Sequence, residues 1–209
     1  MPRFFVEKIT HPVILSPEES RHALRALRLS AGDPVTVFDP QEAWSGQIQS
    51  TAGPVTVRLL ERLRTPALPR VIVAAAVPKG ARLDWMIEKL AELGVSEFVP
   101  VRFARSVTEP GEGKRKRLEK IAVAAAKQSG APMMRISLEQ GVDQLPADAI
   151  LASPGSGDPA PKGGGCVVVG PEGGLTAAEE SRFPRRFSLG PTILRIETAA
   201  VVAAARLLS

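Results

Sequence analysis

Tyrosine is absent from this chain, and among its 209 residues cysteine occurs once and histidine twice. One thiol cannot close an intrachain disulfide, and one cysteine with two histidines is too few for a Cys/His zinc cluster. Cys166 sits inside the apolar run CVVVG (166–170) and reads as a small core residue, because reactive thiols occupy electropositive, partly exposed surroundings. Both histidines, His11 and His22, fall in the first sixty-odd residues. The rest of the chain therefore lacks two common proton-transfer side chains. No apolar run reaches the ~18–20 residues that a membrane helix needs. The segment MPRFFVEKITHPV carries Arg3 but no apolar stretch followed by a small-residue cleavage site, so no signal peptide is expected. These absences point to a cytoplasmic protein with no metal and no membrane contact.

What is present is an ordinary globular composition, 44% hydrophobic, with 27 Lys/Arg against 22 Asp/Glu, a net charge of +5 and a pI near 9.8. A buried core is expected and disorder is not. Residues 1–68 hold 8 basic and 7 acidic side chains and residues 69–209 hold 19 and 15, so the excess lies mostly in the second part. A mildly basic surface suits a polyanionic partner such as RNA without requiring one.

The organisation changes near residue 68. Before it, FFV (4–6), VTVF (35–38) and VTVRLLE (55–61) read as short strands between turn-rich pieces, with one helix over 17–28 capped by Ser16. Together they predict a small β-barrel-like domain. RTPALPR (64–70) has two prolines and no periodicity and marks the domain boundary. Beyond it strands and helices alternate: strands at 71–77, 98–101, 149–153, 166–170 and 187–190, helices at 81–94, 112–129, from Thr176, and at 197–208. Leu83, Ile87, Leu90 and Leu93 form one helical stripe, and Leu118, Ile121, Ala122, Ala125 and Ala126 another. This alternation predicts an α/β domain with a mainly parallel sheet. SPGSGDPAPKGGG (153–165) reads as a flexible loop.

Two loops have the composition of a ligand site. GPEGG (170–174) follows an apolar strand and precedes Thr176, which with Glu179 makes a T-x-x-E helix start. The loop lacks the Lys-Ser/Thr ending of a phosphate-binding loop and the Rossmann glycine spacing. Glu172 at its centre would repel a phosphate, whereas an adenosine carrying a sulfonium would not be repelled. SLGPTILRIETAA (188–200) again puts glycine and proline between a strand end and a helix, and SPGSG (153–157) is a third loop of similar kind. In open α/β sheets ligands collect beyond the carboxyl ends of strands, where such loops can converge.

These two C-terminal loops, in this order, resemble those of the SPOUT-class RNA methyltransferases. Within that class the chain is similar to the RsmE family, which methylates N3 of a uridine in small-subunit (16S) ribosomal RNA. RHALRALRLSAGDPVTVFD (21–39), KGARLDWMIEKLAELGV (79–95), Arg105-Ser106 and AAAKQSG (124–130) extend the likeness over nearly the whole chain. The resemblance implies a PUA-like β-barrel RNA-binding domain (1–68) and a SPOUT methyltransferase domain (69–209) whose C-terminus threads a trefoil knot. It also implies a homodimer and S-adenosylmethionine as methyl donor. By carry-over the donor would contact Ser153, Pro154 and Gly155, then Gly170, Glu172, Gly173 and Gly174, then Leu189, Gly190, Ile193, Leu194 and Arg195. The chain departs from the family pattern at Ala131 and Thr192, where arginine is common, and at Ile196, where threonine is common. An RNA-binding protein of the same fold with lost or altered methyltransferase activity is the alternative.

For catalysis, Arg195 is expected beside the reacting base, and Glu197 to orient Arg195 or the closing helix. The general base is left open. RNA contacts are expected from Arg3, Arg21, Arg25 and Arg28 in the first domain and from Lys79, Arg82 and Arg105 in the second, with free rRNA or an assembled small subunit as partner. The KRKR run (114–117) reads as a solvated helix face. Trp44 and Trp85 read as core or apolar-surface residues.

Overall fold

The computed structural model describes residues 1–64, 67–107, 112–155 and 161–209. Thr65 and Pro66 of the expected boundary segment and residues 156–160 of the expected flexible loop lie outside these. The chain forms two compact units, Met1–Pro66 and Ala67–Ser209.

The first unit contains β1 (Arg3–Phe5), β2 (Val13–Ile14), α1 (Pro17–Arg21), β3 (Pro34–Phe38), β4 (Ala43–Ser50) and β5 (Thr56–Leu63). They make one curled sheet in the order β1-β3-β4-β5-β2, parallel only between β1 and β3. Its core gathers Phe4, Val13, Leu15, Val35, Val37, Ile48, Val55 and Val57. Each such side chain contributes about 1.5–3 kcal/mol by leaving water. Asp39 fixes the turn between β3 and β4: its carboxylate accepts from the backbone N–H groups of Gln41 and Glu42, both at 2.8 Å, and from that of Ile9 at 3.0 Å.

Two features of this unit differ from the sequence expectation. β4 is missing from it because AWSGQIQS carries glycine and glutamines and breaks its period-2 pattern at a bulge between Ser45 and Gly46. The helix expected over 17–28 is capped by Ser16, whose hydroxyl accepts from the Glu19 N–H at 3.2 Å, but its α-helical part stops at Arg21. A π-turn follows over His22–Ala26, in which the Leu27 N–H reaches back to the His22 carbonyl at 3.1 Å. Arg28 then turns the chain away at φ 54°.

The second unit runs β6 (Val71–Ala75), α2 (Ala81–Leu93), β7 (Glu97–Arg102), α3 (Glu112–Ser129), β8 (Arg135–Ile136), β9 (Gln140–Gly141), β10 (Ile150–Ala152), β11 (Gly165–Val169), α4 (Ala177–Ser181), β12 (Arg186–Phe187) and α5 (Ile196–Leu208). The sheet order is β12-β10-β11-β6-β7-β8, with β9 also beside β7, and every pairing is parallel. Parallel strands are covered on both faces, which explains the near-continuous apolar runs of β6 and β11. On α2 the stripe holds: Leu83, Ile87 and Leu90 are buried and Leu93 is half-buried, and Gly94 closes the helix at φ 84°, a conformation costly for other residues. α5 packs on α2, β6 and β11. β12 spans Arg186–Phe187 and so shares only Phe187 with the expected 187–190 strand. β8 and β9, two residues each, are too short to leave a periodic signal. Cys166 is buried, and burial pushes its thiol up to about 11, a core role.

The topology also locates a site. From β6 the chain steps to β7 and β8 on one side, then crosses to β10, β11 and β12 on the other. The reversal lies between β6 and β11, and connections leaving neighbouring strands there part in opposite directions.

Candidate functional site at the carboxyl ends of the parallel strands

At the carboxyl ends of β10 and β11 lies a cleft of about 290 Å³. Its floor is Leu151, Ala152 and Val169, and its walls are the 170–175 and 189–194 loops with Ile196 and Ala199 of α5. Of the residues expected to hold the donor, Ser153, Pro154, Gly170, Glu172, Gly174, Leu189, Gly190, Ile193 and Leu194 line this cleft, whereas Gly155, Gly173 and Arg195 do not. Among the described residues, its only charged lining side chains are Glu172 and Glu180. An apolar cleft with two acids and no cation suits a neutral or cationic ligand and opposes a phosphate tail.

The GPEGG loop is held from outside its own segment. Thr176 caps α4 and forms the expected box with Glu179, whose Oε2 accepts from the Thr176 N–H at 2.8 Å. The other oxygen of Glu179 accepts from the Ala104 N–H at 2.7 Å, tying the loop after β7 to this helix start. Burial would raise the Glu179 pKa, but these N–H donors, the Thr176 hydroxyl and the Arg105 charge outweigh it and hold the carboxyl below its ordinary value. Arg105 donates to the carbonyls of Gly173 and Leu175, at 3.0 and 3.3 Å. Gly174 sits at φ 70°, and a side chain there would be strained. Arg206, in the last turn of α5, donates to the carbonyls of Ser188 and Leu189 at 2.9 and 3.0 Å, bracing the other loop.

A second cleft of about 230 Å³ adjoins the first and shares Pro171, Glu172 and Ile196 with it. Its remaining lining is Ala76, Val77, Pro78, Lys79, Arg82, Ser106 and Val107. Arg82 Nη1 lies 2.9 Å from Glu172 Oε1 and 3.9 Å from Glu197 Oε1. Glu197 is buried, and its Oε2 has no hydrogen-bond partner among the described residues. Its ion partner is thus Arg82 and not Arg195; Arg195 is exposed and makes no ion pair among the described residues. Arg82 and Arg105 stand against the GPEGG loop, and Lys79 is exposed on the second cleft. Thr192 lines the first cleft, Ile196 lines both, and Ala131 follows α3, half-buried.

In the first unit, Arg21, Arg25 and Arg28 are exposed. Arg3 is half-buried with its guanidinium 4.9 Å from the Phe38 ring centre, and burial lowers its pKa. In the KRKR run, Arg117 pairs with Asp84, and Arg115 with Glu119 at 3.1 Å, the latter within the helix. Trp85 is 44% exposed on α2, and Trp44 is half-buried with its ring edge against His11. Among the described residues no group of three or more His, Cys, Asp or Glu is placed to hold a metal ion, and no helix is long and apolar enough to cross a membrane.

Sequence reasoning missed Arg206, and it did not see that Arg82 and Arg105 brace the loop. Their only signal is a basic residue within a motif or a last helical turn. The partners lie 90 residues away for Arg82 and 68 for Arg105.

A parallel α/β unit with an apolar cleft between strand-end loops has the arrangement in which open α/β sheets hold ligands. Comparison with known proteins narrows this. A family model described as an RNA methyltransferase domain matches residues 66–208. The ribosomal RNA small subunit methyltransferase E of Bacillus subtilis is 31% identical, over 97% of this chain and 94% of the relative. The solved structure of a ribosomal RNA small subunit methyltransferase E from Neisseria gonorrhoeae bound to S-adenosyl methionine is 28% identical with a TM-score of 0.82, covering 98% of this chain and 95% of that one. A probable rRNA-methyltransferase from Porphyromonas gingivalis gives 27% and 0.83, over 98% and 95%. The chain belongs to the ribosomal RNA small subunit methyltransferase E family, and its fold is that of the SPOUT-type RNA methyltransferases.

Proposed function

We propose that this protein transfers a methyl group from S-adenosylmethionine to N3 of a uridine in small-subunit ribosomal RNA. The carrying observation is the first cleft, apolar, formed by three strand-end loops and charged, among the described residues, only by Glu172 and Glu180. Leu151, Val169, Leu194 and Ile196 offer an apolar bed for an adenine and ribose, and loop backbone groups offer polar partners. When bound, the donor supplies an electrophilic methyl carried on a positively charged sulfur. Glu172 and Glu180, paired with Arg82 and Arg186, leave the cleft without a bare cation to repel that charge, and the apolar walls exclude water, so charges that neutralise each other as the reaction proceeds are less stabilised in the ground state than in water.

On this reading the first unit (1–68) is a PUA-like RNA-binding domain and the second (69–209) the catalytic one, its C-terminus knotted. The protein works as a homodimer in the cytoplasm, without a metal. Arg21, Arg25 and Arg28 bind RNA phosphates, and Arg195 lies beside the reacting base. Arg3, Arg82 and Arg105 combine any RNA contact with the internal contacts above.

The test is mass spectrometry of small-subunit rRNA from cells with and without the protein, joined to calorimetry with S-adenosylmethionine. N3-methyluridine that disappears with the protein, together with saturable donor binding, is the expected result. Donor binding without a lost methyl mark favours the altered-activity alternative raised by Ala131 and Thr192. Single-turnover transfer by Arg195→Ala at saturating donor isolates Arg195: an unchanged rate removes it from the mechanism.

A further inference from the structure

The proposed reaction needs a group to take the N3 proton, and the chemistry of the second cleft identifies one. We propose that the second cleft is the pocket for an unpaired uracil base and that Glu172 accepts the N3 proton there. This rests on the reading that uridine N3 is the methyl acceptor. N3 lies in the middle of the base-pairing edge, so a paired uridine cannot react and the base must leave its stack for a pocket. The second cleft, about 230 Å³, is smaller than the first and joins it across a wall made of Pro171, Glu172 and Ile196. A base in one cleft and a methyl donor in the other meet at that wall.

Among the described residues Glu172 is the only titratable side chain common to both linings. Its side chain is 55% exposed. Arg82 holds Oε1 at 2.9 Å, and Oε2 has no partner among the described residues. An imide presents one N–H between two carbonyl oxygens. A carboxylate oxygen matches the N–H, and the Lys79 and Arg82 cations and the Ser106 hydroxyl match the oxygens. The step balances: the N3–H bond breaks, its electron pair stays on N3, and the proton forms an O–H bond on Glu172. The carboxylate becomes neutral while the pyrimidine gains a negative charge, which the methyl transfer then consumes.

Glu197 has a place in the same arrangement as a positioning residue. Arg82 lies between two carboxylates, and protonation of Glu172 would leave it with Glu197, 3.9 Å away and buried. The guanidinium thus keeps an ionic partner throughout and holds α2 to the start of α5, while Arg105 still holds the GPEGG loop through the Gly173 and Leu175 carbonyls.

The experiment compares wild type with Glu172→Gln and Val107→Trp, using purified small-subunit rRNA and S-adenosylmethionine. Calorimetry of donor binding and filter binding of donor-free protein to the rRNA accompany the rate measurements. Glu172→Gln removes one of the two acids of the donor cleft and should weaken donor binding by up to about 10-fold, while single-turnover transfer at saturating donor and neutral pH falls by about 100-fold or more. The deficit should shrink as pH rises, because solvent hydroxide then removes the N3 proton unaided. Val107→Trp, adding bulk to the second cleft alone, should keep donor affinity and lose transfer. A Glu172→Gln rate near wild type, a deficit constant with pH, or a donor affinity that falls as far as the rate would overturn the proton-acceptor role. Full transfer by Val107→Trp would overturn the pocket. Wild-type protein that makes no N3-methyluridine overturns the proposed function itself, a failure visible before any variant is measured.

Discussion

The two units use β-structure in opposite ways. In the first, β3, β4 and β5 run antiparallel, so successive turns emerge at alternate ends and neither end gathers many loops. In the second, every pairing is parallel, so the chain leaving β6, β7, β10, β11 and β12 emerges at one end. That end carries both clefts. Concentrated loops need bracing, and the second unit supplies it with Arg82, Arg105, Glu179 and Arg206, each bonded to backbone or carboxylate distant in sequence. In the first unit the comparable bonds fix turns and strand ends, as where Asp39 accepts from Gln41, Glu42 and Ile9 and the Ser20 hydroxyl from Val55. Its exposed arginines need no shaped cavity to meet phosphate.

The sharpest way to break this comparison is to damage each core separately. Phe98→Ala and Phe4→Ala both truncate fully buried rings and should each cost about 3–5 kcal/mol in urea unfolding. Only Phe98→Ala is expected to lower donor affinity measured by calorimetry on the intact chain. A comparable loss with Phe4→Ala would mean that the donor site depends on the first unit as well.

A smaller effect probes the bracing. Glu179→Ala removes acceptors for the Thr176 and Ala104 N–H groups and should cost about 1–3 kcal/mol, with weaker donor binding. Thr176→Ala removes only the hydroxyl half of that box and should cost about 1 kcal/mol. Equal costs would show that the long-range bond to Ala104 adds nothing.

Charge in the first unit is tested by salt. Replacing Arg21 or Arg25 with alanine should weaken rRNA binding and lower the slope of log affinity against log salt by about 1 each. Donor affinity should be unmoved, and an unchanged slope would remove that side chain from the RNA surface.

The smallest effect concerns Glu97, buried at the start of β7. Burial would raise its pKa, but hydrogen bonds from Arg135 and Ser137 and the charges of Arg135 and Arg70 outweigh that and leave it lowered. A carboxyl depressed on folding contributes stability above its unfolded pKa and loses it as pH falls through the folded one. The acid limb of urea-midpoint stability should therefore be shallower in Glu97→Gln than in wild type. An identical limb would show that Glu97 does not set it.

Much of this was legible without coordinates where the determinants are local. The Thr176–Glu179 box, the Gly94 helix end, the apolar stripe of α2 and the buried runs of β6 and β11 follow from neighbours within a turn or a strand. β4 was not legible, because its glycine and bulge erase the alternation and its place is set by partners on β3 and β5. The shortened α1 was hidden for a related reason: helical periodicity does not distinguish an α-turn from a π-turn.

By itself the sequence determined the longer helices and buried strands, the loops that could hold a ligand, and the family, because periodicity, caps and turn glycines act within a few residues. Tertiary structure alone decided which charges meet. Glu197 faces Arg82 and leaves Arg195 to solvent, and Glu172 stands in the wall between two clefts. Those pairings depend on the parallel strand order, which brings residues some ninety positions apart within 3 Å, and no local pattern encodes that distance.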